Sequence, residues 1–136
     1  MGSFSSIDIS SSGLFAQRIR LDAIANNIAN ATTTRTDAGG PYKRQEVVFR
    51  AHNGPLTGAN GGVQVDGVVE SPDPPKRVHD PSHPDAGPDG IVEMPNVNVV
   101  EEMVDMIAAT RAYEANVQAI TASRSMVNKA LDIGRV

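Results

Sequence analysis

The sequence contains no cysteine and no tryptophan, and aromatic residues make up only 4% of its 136 residues. Without cysteine the chain has no disulfide framework, no thiol nucleophile and no thiolate metal site. With so few aromatic side chains, its apolar interior must be built from Val, Ile, Leu, Met and Ala, which suits helix packing better than a deep ligand pocket. The length is that of one ordinary domain, so a single core is expected.

Positive charge is also scarce, because 12 Lys and Arg face 16 Asp and Glu and the formal net charge is -4. This balance argues against phosphate backbones and anionic membranes as main partners. No apolar stretch approaches the roughly 18 residues that a membrane span requires. We therefore expect no nucleic-acid partner and no direct membrane insertion.

The opening stretch, MGSFSSIDISSSGLFAQ, lacks a basic residue, and the first one in the chain is Arg18. It also lacks the apolar run of a secretory signal. We therefore expect no cleavable signal peptide, and export from the cytoplasm would have to use another route.

Proline is absent from residues 1–40 and 96–136, and all nine prolines lie between Pro41 and Pro95. Because proline is excluded from helix interiors, only the two ends of the chain are free to form long helices. The predicted fold class is α+β, with two long terminal helices that pair as an antiparallel coiled coil and a small β-rich, Pro/Gly-rich insert between them. The predicted divisions are 1–34 and 96–136 for the helical domain and 35–95 for the insert.

The N-terminal segment carries two rows of residues at the seven-residue spacing of a coiled-coil seam. The rows are Ile7, Leu14, Leu21 and Ile28, and Ser10, Gln17, Ile24 and Ala31. We predict a helix that starts at about Ile7 or Ser12, since the serines can cap or break it, and ends near Ala31 before three threonines.

The C-terminal segment carries the same spacing over a longer stretch. One row is Met103, Thr110, Val117, Arg124 and Leu131, and the other is Met106, Tyr113, Ile120 and Val127. Asn98 followed by Glu101 resembles a capping box, so a helix is predicted from there to the end of the chain. Between the helices, QEVVFRA predicts a strand, GGVQVDGVVE a strand pair or one bulged strand, Arg77 to His79 a short extended piece and IVEMP a last strand.

Two stretches of the middle region invite a chemical interpretation. His79, Asp80, His83 and Asp85 are metal-ligand types, but the prolines among them predict a turn rather than a converging ligand set. The glycine-rich GPLTGANGG lacks the Lys and Ser/Thr of a phosphate-binding loop, so turn chemistry is favoured there too. No G-x-S-x-G is present. We assign no catalytic, cofactor-binding or metal residue, and we expect no enzymatic activity and no cofactor.

LDAIANNIANATTTRT has no charged residue between Asp22 and Arg35, although its periodicity is helical. Buried charges are costly, whereas amides can bond to neighbours without an ion to desolvate. The asparagines therefore predict a helix face enclosed by other chains, and the alternative is that Asn30 only forms part of the helix exit while Asn26 is solvated. Arg124, on a seam, either extends its charged head to solvent or meets a carbonyl or carboxylate of a neighbouring chain.

Two helices of unequal length leave apolar surface uncovered, and such surface usually marks an interaction site. The predicted assembly interface combines seam residues and amides: Leu14, Leu21, Ile24, Asn26, Asn27, Ile28, Asn30, Met103, Met106, Tyr113, Asn116, Val117, Ile120, Arg124, Val127 and Leu131.

Three stretches resemble the flagellar basal-body rod family: LDAIANNIANATTTRT, GGPYKRQEVVF, and the long run from VHDPSHPDAGPDG through NVNVVEEMVDMIAATRAYEAN to ALDIG. The family's N-terminal motif falls on residues 25–30. Its C-terminal motif falls on Asn96, Val97, Asn98, Glu101, Met103, Ala112, Tyr113, Ala115 and Asn116. Asp37 stands where many relatives have proline, which affects only the local turn.

The resemblance implies a structural axial component of the proximal rod, exported by the flagellar type III apparatus and assembled helically in the periplasm. Its implied partners are itself, other rod and axial proteins and that export apparatus, and its implied role is to transmit motor torque. Two alternatives stay open from the residues alone: a soluble helical adaptor or secretion chaperone, and a metal-dependent enzyme that uses His79 and His83.

Overall fold

The computed structural model describes residues 2–53 and 60–135. Its first element is helix α1, Gly2–Ala29. The predicted start at Ile7 or Ser12 is wrong, because the helix continues through the serines and through Gly13. A Cβ at Gly13 would lie 3.0 Å from the Asn116 side chain. Gly13 therefore gives close contact with the second helix, and tertiary packing overrides its weak helix propensity.

Helix α2, Val99–Ile133, confirms the predicted C-terminal helix. Its N-cap is Asn98, whose side chain accepts a hydrogen bond from the Val100 backbone N–H at 3.2 Å. Glu101 and Glu102 occupy the first turn, where negative charge is favoured by the helix dipole. At 1.5 Å per residue, α2 is roughly 50 Å long and α1 roughly 40 Å. Neither helix is long and apolar enough to cross a bilayer, over the described parts of the chain.

The two helices pack against each other in opposite directions. The Ser6 and Ser123 hydroxyl oxygens are 3.3 Å apart, near the start of α1 and toward the end of α2. At the other end, Asn27 Nδ2 donates to Glu102 Oε2 at 3.1 Å. The antiparallel arrangement follows from these contacts, while knobs-into-holes coiled-coil packing stays a prediction.

The residues that α2 presents to α1 are smaller and more polar than the sequence analysis expected. Glu102, Ala109 and Ser123 are buried and share a seven-residue spacing with half-buried Asn116. The predicted row that contains Met103 lies one position further round the helix and is largely exposed, so its assignment to the helix contact is wrong. Small side chains allow the two helix axes to approach closely, which explains why this row faces inward.

Among the side chains of α1 that the structure describes, the buried ones are Ala16, Ala23, Ile24 and Asn27. Of the predicted rows only Ile24 is buried, and Leu14, Leu21 and Ile28 are half-buried. The shift arises because α1 contacts the strands described below as well as α2. A seven-residue pattern gives the spacing of a contact row but not the side from which a third element covers the helix.

Strands β1, Gln45–Asn53, and β2, Asn60–Glu70, form an antiparallel pair. Of the two alternatives for GGVQVDGVVE, the single bulged strand is confirmed. Val48 pairs with Gly67 but Phe49 pairs with Val65, which leaves Asp66 as the extra residue of a bulge. The glycine-rich segment before β2 lies partly outside the described residues, at 54–59.

The β1–β2 pair lies along α1. The Ser12 Oγ accepts a hydrogen bond from the Val63 backbone N–H at 3.0 Å and donates to the Ile9 carbonyl at 2.7 Å. The adjacent Gly62 is buried and has φ of +115°, a conformation that favours glycine. A two-stranded sheet is marginal by itself, so contact with the helix is what supports this one.

Strands β3, Lys76–His79, and β4, Ile91–Met94, form a second antiparallel pair and confirm the last two strand predictions. Val92, Pro95 and Val97 are buried where β4 leads into α2. The described chain is thus α+β, with two helices and two small antiparallel sheets between them in sequence. Its division into a helical domain and an insert stays a prediction.

Replacement of Gly62 by alanine is expected to lower the free energy of unfolding by about 1–3 kcal/mol, because of its positive φ and because a Cβ would overlap the Ser12 Oγ. Chemical denaturation of the purified chain measures the change. Gly67→Ala, in the same strand but with open space around its Cβ, is the matched control. Equal stability of the two variants would contradict the described contact.

Candidate functional site

Four large apolar side chains form an exposed row on the first two turns of α2. Val100, Met103, Val104 and Ile107 are 69%, 51%, 61% and 58% exposed. Their i, i+3, i+4, i+7 spacing places them on one face of the helix, away from buried Glu102. We call these four residues the outer row.

More apolar side chains are exposed further along the helix pair. They include Met126, Leu131 and Ile133 on α2 and Phe15 on α1. The contact between the helices meanwhile holds alanine, serine, asparagine and glutamate. A helical hairpin that is stable by itself would instead bury its large apolar side chains between the helices. Exposed apolar surface of this extent marks an interaction site.

The structure distributes the predicted interface residues over several faces. Six are exposed: Asn26, Met103, Tyr113, Val117, Arg124 and Leu131. Eight are half-buried: Leu14, Leu21, Ile28, Asn30, Met106, Asn116, Ile120 and Val127. Two are buried, Ile24 and Asn27. Exposed Arg124 forms none of the ion pairs found among the described residues.

The sequence analysis missed most of the outer row, since only Met103 was among its candidates. Val100, Val104 and Ile107 carry the helical spacing in the sequence itself, so the signal was present. It was overlooked because a strict seven-residue count follows one narrow seam, whereas an apolar face can be one position wider on either side.

The three asparagines of α1 and its exit have three different environments, so the assignment of Asn27 to an outward-facing interface is wrong, whereas the enclosure of Asn26 by other chains stays a prediction. Asn26 is exposed. Asn30 helps to end the helix, because its Nδ2 donates to the Asn26 carbonyl at 2.9 Å and its Oδ1 accepts from Thr33 Oγ1 at 3.2 Å. Asn27 is only 1% exposed and makes its contacts inside the chain.

Asn27 uses the whole hydrogen-bonding capacity of its side chain. Its Oδ1 accepts from the Gln45 backbone N–H at 2.8 Å and from the Tyr42 hydroxyl at 3.0 Å. Its Nδ2 donates to the Gln45 carbonyl at 2.9 Å and to Glu102 Oε2 at 3.1 Å. One amide therefore joins α1, the start of β1 and α2.

The Glu102 carboxylate is 1% exposed and is matched by Arg44, whose Nε donates to Oε1 at 2.5 Å. Arg44 also contacts Glu46 at 2.6 Å and approaches Asp105 at 3.9 Å. The bond to Glu102 raises the pKa of Arg44. Since a buried carboxylate is tolerated only when paired and hydrogen-bonded, both Arg44 and Asn27 are needed around it.

Tyr42 completes this group. Burial, followed by the nearby negative charge of Glu102, raises the pKa of the Tyr42 hydroxyl. The hydroxyl therefore keeps its proton and acts as a donor to Asn27. We call Asn27, Tyr42, Arg44, Gln45 and Glu102 the Asn27 cluster.

The histidine-rich loop between β3 and β4 forms hydrogen-bonded turns, as predicted. Asp80 Oδ1 accepts from the Ser82 backbone N–H at 3.1 Å and from its hydroxyl at 2.6 Å, and these bonds lower the pKa of Asp80. The Asp85 backbone N–H donates to His83 Nδ1 at 3.1 Å. Across the described residues, no three His, Asp or Glu side chains are grouped so that they could hold a metal ion.

Geometry thus defines a class of protein: a structural subunit whose antiparallel helices expose apolar rows that other protein chains must cover. Two family models match its ends. The model described as flagella basal body rod protein matches residues 7–35, which include most of α1. The model described as flagellar basal body rod FlgEFG protein C-terminal matches residues 89–133, which include β4 and α2.

Curated relatives match the chain over almost its whole length. The flagellar basal-body rod protein FlgC of Borreliella burgdorferi is 50% identical, over 98% of this chain and 98% of the relative. The FlgC proteins of Bacillus subtilis and of Escherichia coli O6:H1 are 39% and 44% identical, over 99% and 94% of this chain and 100% and 95% of the relatives.

The chain therefore belongs to the FlgC family of flagellar basal-body rod proteins, and it is a structural component of the proximal rod. The relatives are rod proteins rather than enzymes, which leaves the metal-dependent enzyme without support. The adaptor or chaperone alternative is not favoured either.

Replacement of Asn27 by alanine is expected to lower the free energy of unfolding by about 2–3 kcal/mol, because it leaves the Gln45 backbone N–H and C=O without the amide and removes one of the two partners of the buried Glu102 carboxylate. Tyr42→Phe removes one donor while Asn27 keeps its other bonds, so it is expected to cost only about 0.5–1.5 kcal/mol. Urea denaturation of both variants measures the difference. A larger loss for Tyr42→Phe than for Asn27→Ala would refute the proposed order of importance within the cluster.

Proposed function

We propose that this rod subunit assembles helically with copies of itself and with other flagellar axial proteins. In the proposed rod, the terminal helices form the inner layer of a tube and the β-rich part lies outside it. The observation that carries the proposal is the outer row, because four large apolar side chains on one helix face are each more than half exposed in the single chain.

Burial of the outer row supplies a driving force for assembly. Full burial of such a side chain contributes about 1.5–3 kcal/mol, and these four are already partly covered. Roughly 1 kcal/mol from each gives several kcal/mol for one contact of one subunit. Repeated along a helical array, contacts of this size favour a stable rod.

Coiled-coil packing is the proposed form of the helix layer. The half-buried row of Met106, Ile120 and Val127 lies beside the buried row of Ala109 and Ser123 on α2. Neighbouring helices can therefore insert side chains next to the existing helix contact without displacing it. A layer built in this way is continuous along its axis and suits the transmission of motor torque.

We also propose that the subunit reaches the rod through the flagellar type III export apparatus, without cleavage of a signal peptide. The nearly full-length match to flagellar basal-body rod proteins supports this route. The site of assembly is then the periplasmic part of the basal body.

Deletion of the gene, with complementation, tests the proposed function. The deletion strain is expected to be non-motile and to lack complete rods in electron micrographs of isolated basal bodies, and the parent gene on a plasmid is expected to restore both. Normal swimming with intact rods in the deletion strain would refute the assignment.

Replacement of Ile107 by lysine is expected to leave the isolated chain folded and exported but to abolish swimming, because an unpaired ammonium group would be buried between subunits. Soft-agar swimming and basal-body yield measure the effect in the complemented deletion strain. Gln64→Lys adds the same charge at an exposed position on β2 and is expected to swim normally. Equal swimming of the two variants would count against the outer row as an interface.

A further inference from the structure

Apolar packing alone leaves the longitudinal register of the two helices undetermined. The half-buried apolar residues of α1 and α2 follow a seven-residue spacing, with Leu14, Leu21 and Ile28 on one helix and Met106, Ile120 and Val127 on the other, where exposed Tyr113 takes the intermediate position. A slide of one helix by seven residues would set similar side chains against each other. Repeating apolar seams are known to leave register open until a polar residue selects it.

The polar contacts, by contrast, occur at unique positions. Asn27 meets Glu102, which is the buried acidic side chain of α2 among the described residues. Seven residues further along, α2 offers Ala109, which cannot bond to an amide. Seven residues earlier, the chain offers Pro95, before the helix begins. Either slide would leave the Glu102 carboxylate without Asn27.

Arg44, which lies just before β1, also bonds to Glu102 in only one helix register. Its guanidinium bonds to Glu102, and the next residue, Gln45, starts β1 and is bonded to Asn27 through both backbone groups. A change of helix register would therefore also separate α2 from the entry to the first sheet. One cluster determines both the height of α2 on α1 and the position of β1 relative to α2.

We propose that Asn27, Arg44 and Glu102 are positioning residues that select a single register of α1 on α2. The selected register sets the height at which the outer row faces neighbouring subunits. This last step rests on the proposed function, whereas the register itself is a property of the single chain. Removal of the carboxylate is expected to leave helices that still pack but that occupy more than one register.

Disulfide trapping in the full-length purified chain tests the proposal, because the chain has no cysteine of its own. The Ser6 and Ser123 hydroxyl oxygens are 3.3 Å apart, so Ser6→Cys with Ser123→Cys reports the described register. Ser6→Cys with Asn116→Cys, or with Ala130→Cys, reports a slide by seven residues in either direction. In chains that keep Asn27, Arg44 and Glu102, the cysteine pair at positions 6 and 123 is expected to cross-link at least about tenfold faster than either of the other two pairs.

Glu102→Leu is the test variant, because leucine has a similar size and no acceptor. Glu102→Leu is expected to reduce the ratio of cross-linking rates, first cysteine pair over the other two, to less than about threefold. Glu102→Gln keeps an acceptor oxygen and is the matched control, expected to retain most of the preference. A purely stabilising role would lower the denaturation midpoint without changing which pair cross-links. Retention of the full tenfold preference by a folded Glu102→Leu chain would overturn the proposal.

Circular dichroism shows whether Glu102→Leu keeps its helix content. If it does not, Asn27→Ser provides the same test, since the shorter side chain cannot reach Glu102 while the carboxylate keeps Arg44. Retained preference in a folded Asn27→Ser chain would overturn the proposal equally. Failure of either register test would leave the rod assignment intact, because that assignment is tested separately by the deletion strain.

Discussion

The buried Glu102 carboxylate is the constraint on which the rest of this structure depends. A charge at 1% exposure requires partners, and the chain provides them from two distant segments, Arg44 and Asn27. These three residues lie on α2, just before β1 and on α1, so satisfaction of one charge brings both helices and the first sheet together. Each of those elements would be marginal alone, because isolated helices and a two-stranded sheet have little stability without tertiary packing.

This arrangement explains why the large apolar side chains lie outside. The helix contact is made by small and polar residues, which gives close approach and a defined geometry but little burial of apolar surface. The outer row and Phe15 then stay more than half exposed in the single chain. In the proposed rod, a subunit of the FlgC family built in this way gains its missing apolar contacts from its neighbours. Polar groups define the shape of the subunit, and apolar groups drive its association.

Much of the fold could be predicted from the sequence, because its signals are local. The confinement of proline to residues 41–95 identified both helices, and Asn98 marked the start of α2. Strands β1 and β4 followed from β-branched runs between turns, and β3 corresponds to the short extended piece expected at Arg77 to His79. The start of α1 could not be predicted, since Gly13 is tolerated only because of Asn116, a residue distant in sequence. Periodicity gave the seven-residue spacing, but the predicted row that contains Met103 lies one position away from the buried row that contains Glu102, and of the predicted rows on α1 only Ile24 is buried.

The candidate site, like the fold, could be predicted from the sequence only in part. Its apolar part was visible as a pattern, although only Met103 of the outer row was chosen. The pairing of Asn27 with Glu102 carried no local signal, because the two residues are joined only by the folded chain, and Asn27 was therefore assigned to an outer interface.

The most direct test of this account is thiol labelling of a Val104→Cys chain, free in solution and in purified basal bodies. The account predicts rapid labelling of the free chain and at least about tenfold slower labelling in the rod, while Gln64→Cys reacts similarly in both. Equal labelling of Val104→Cys in the free chain and in the rod would contradict it.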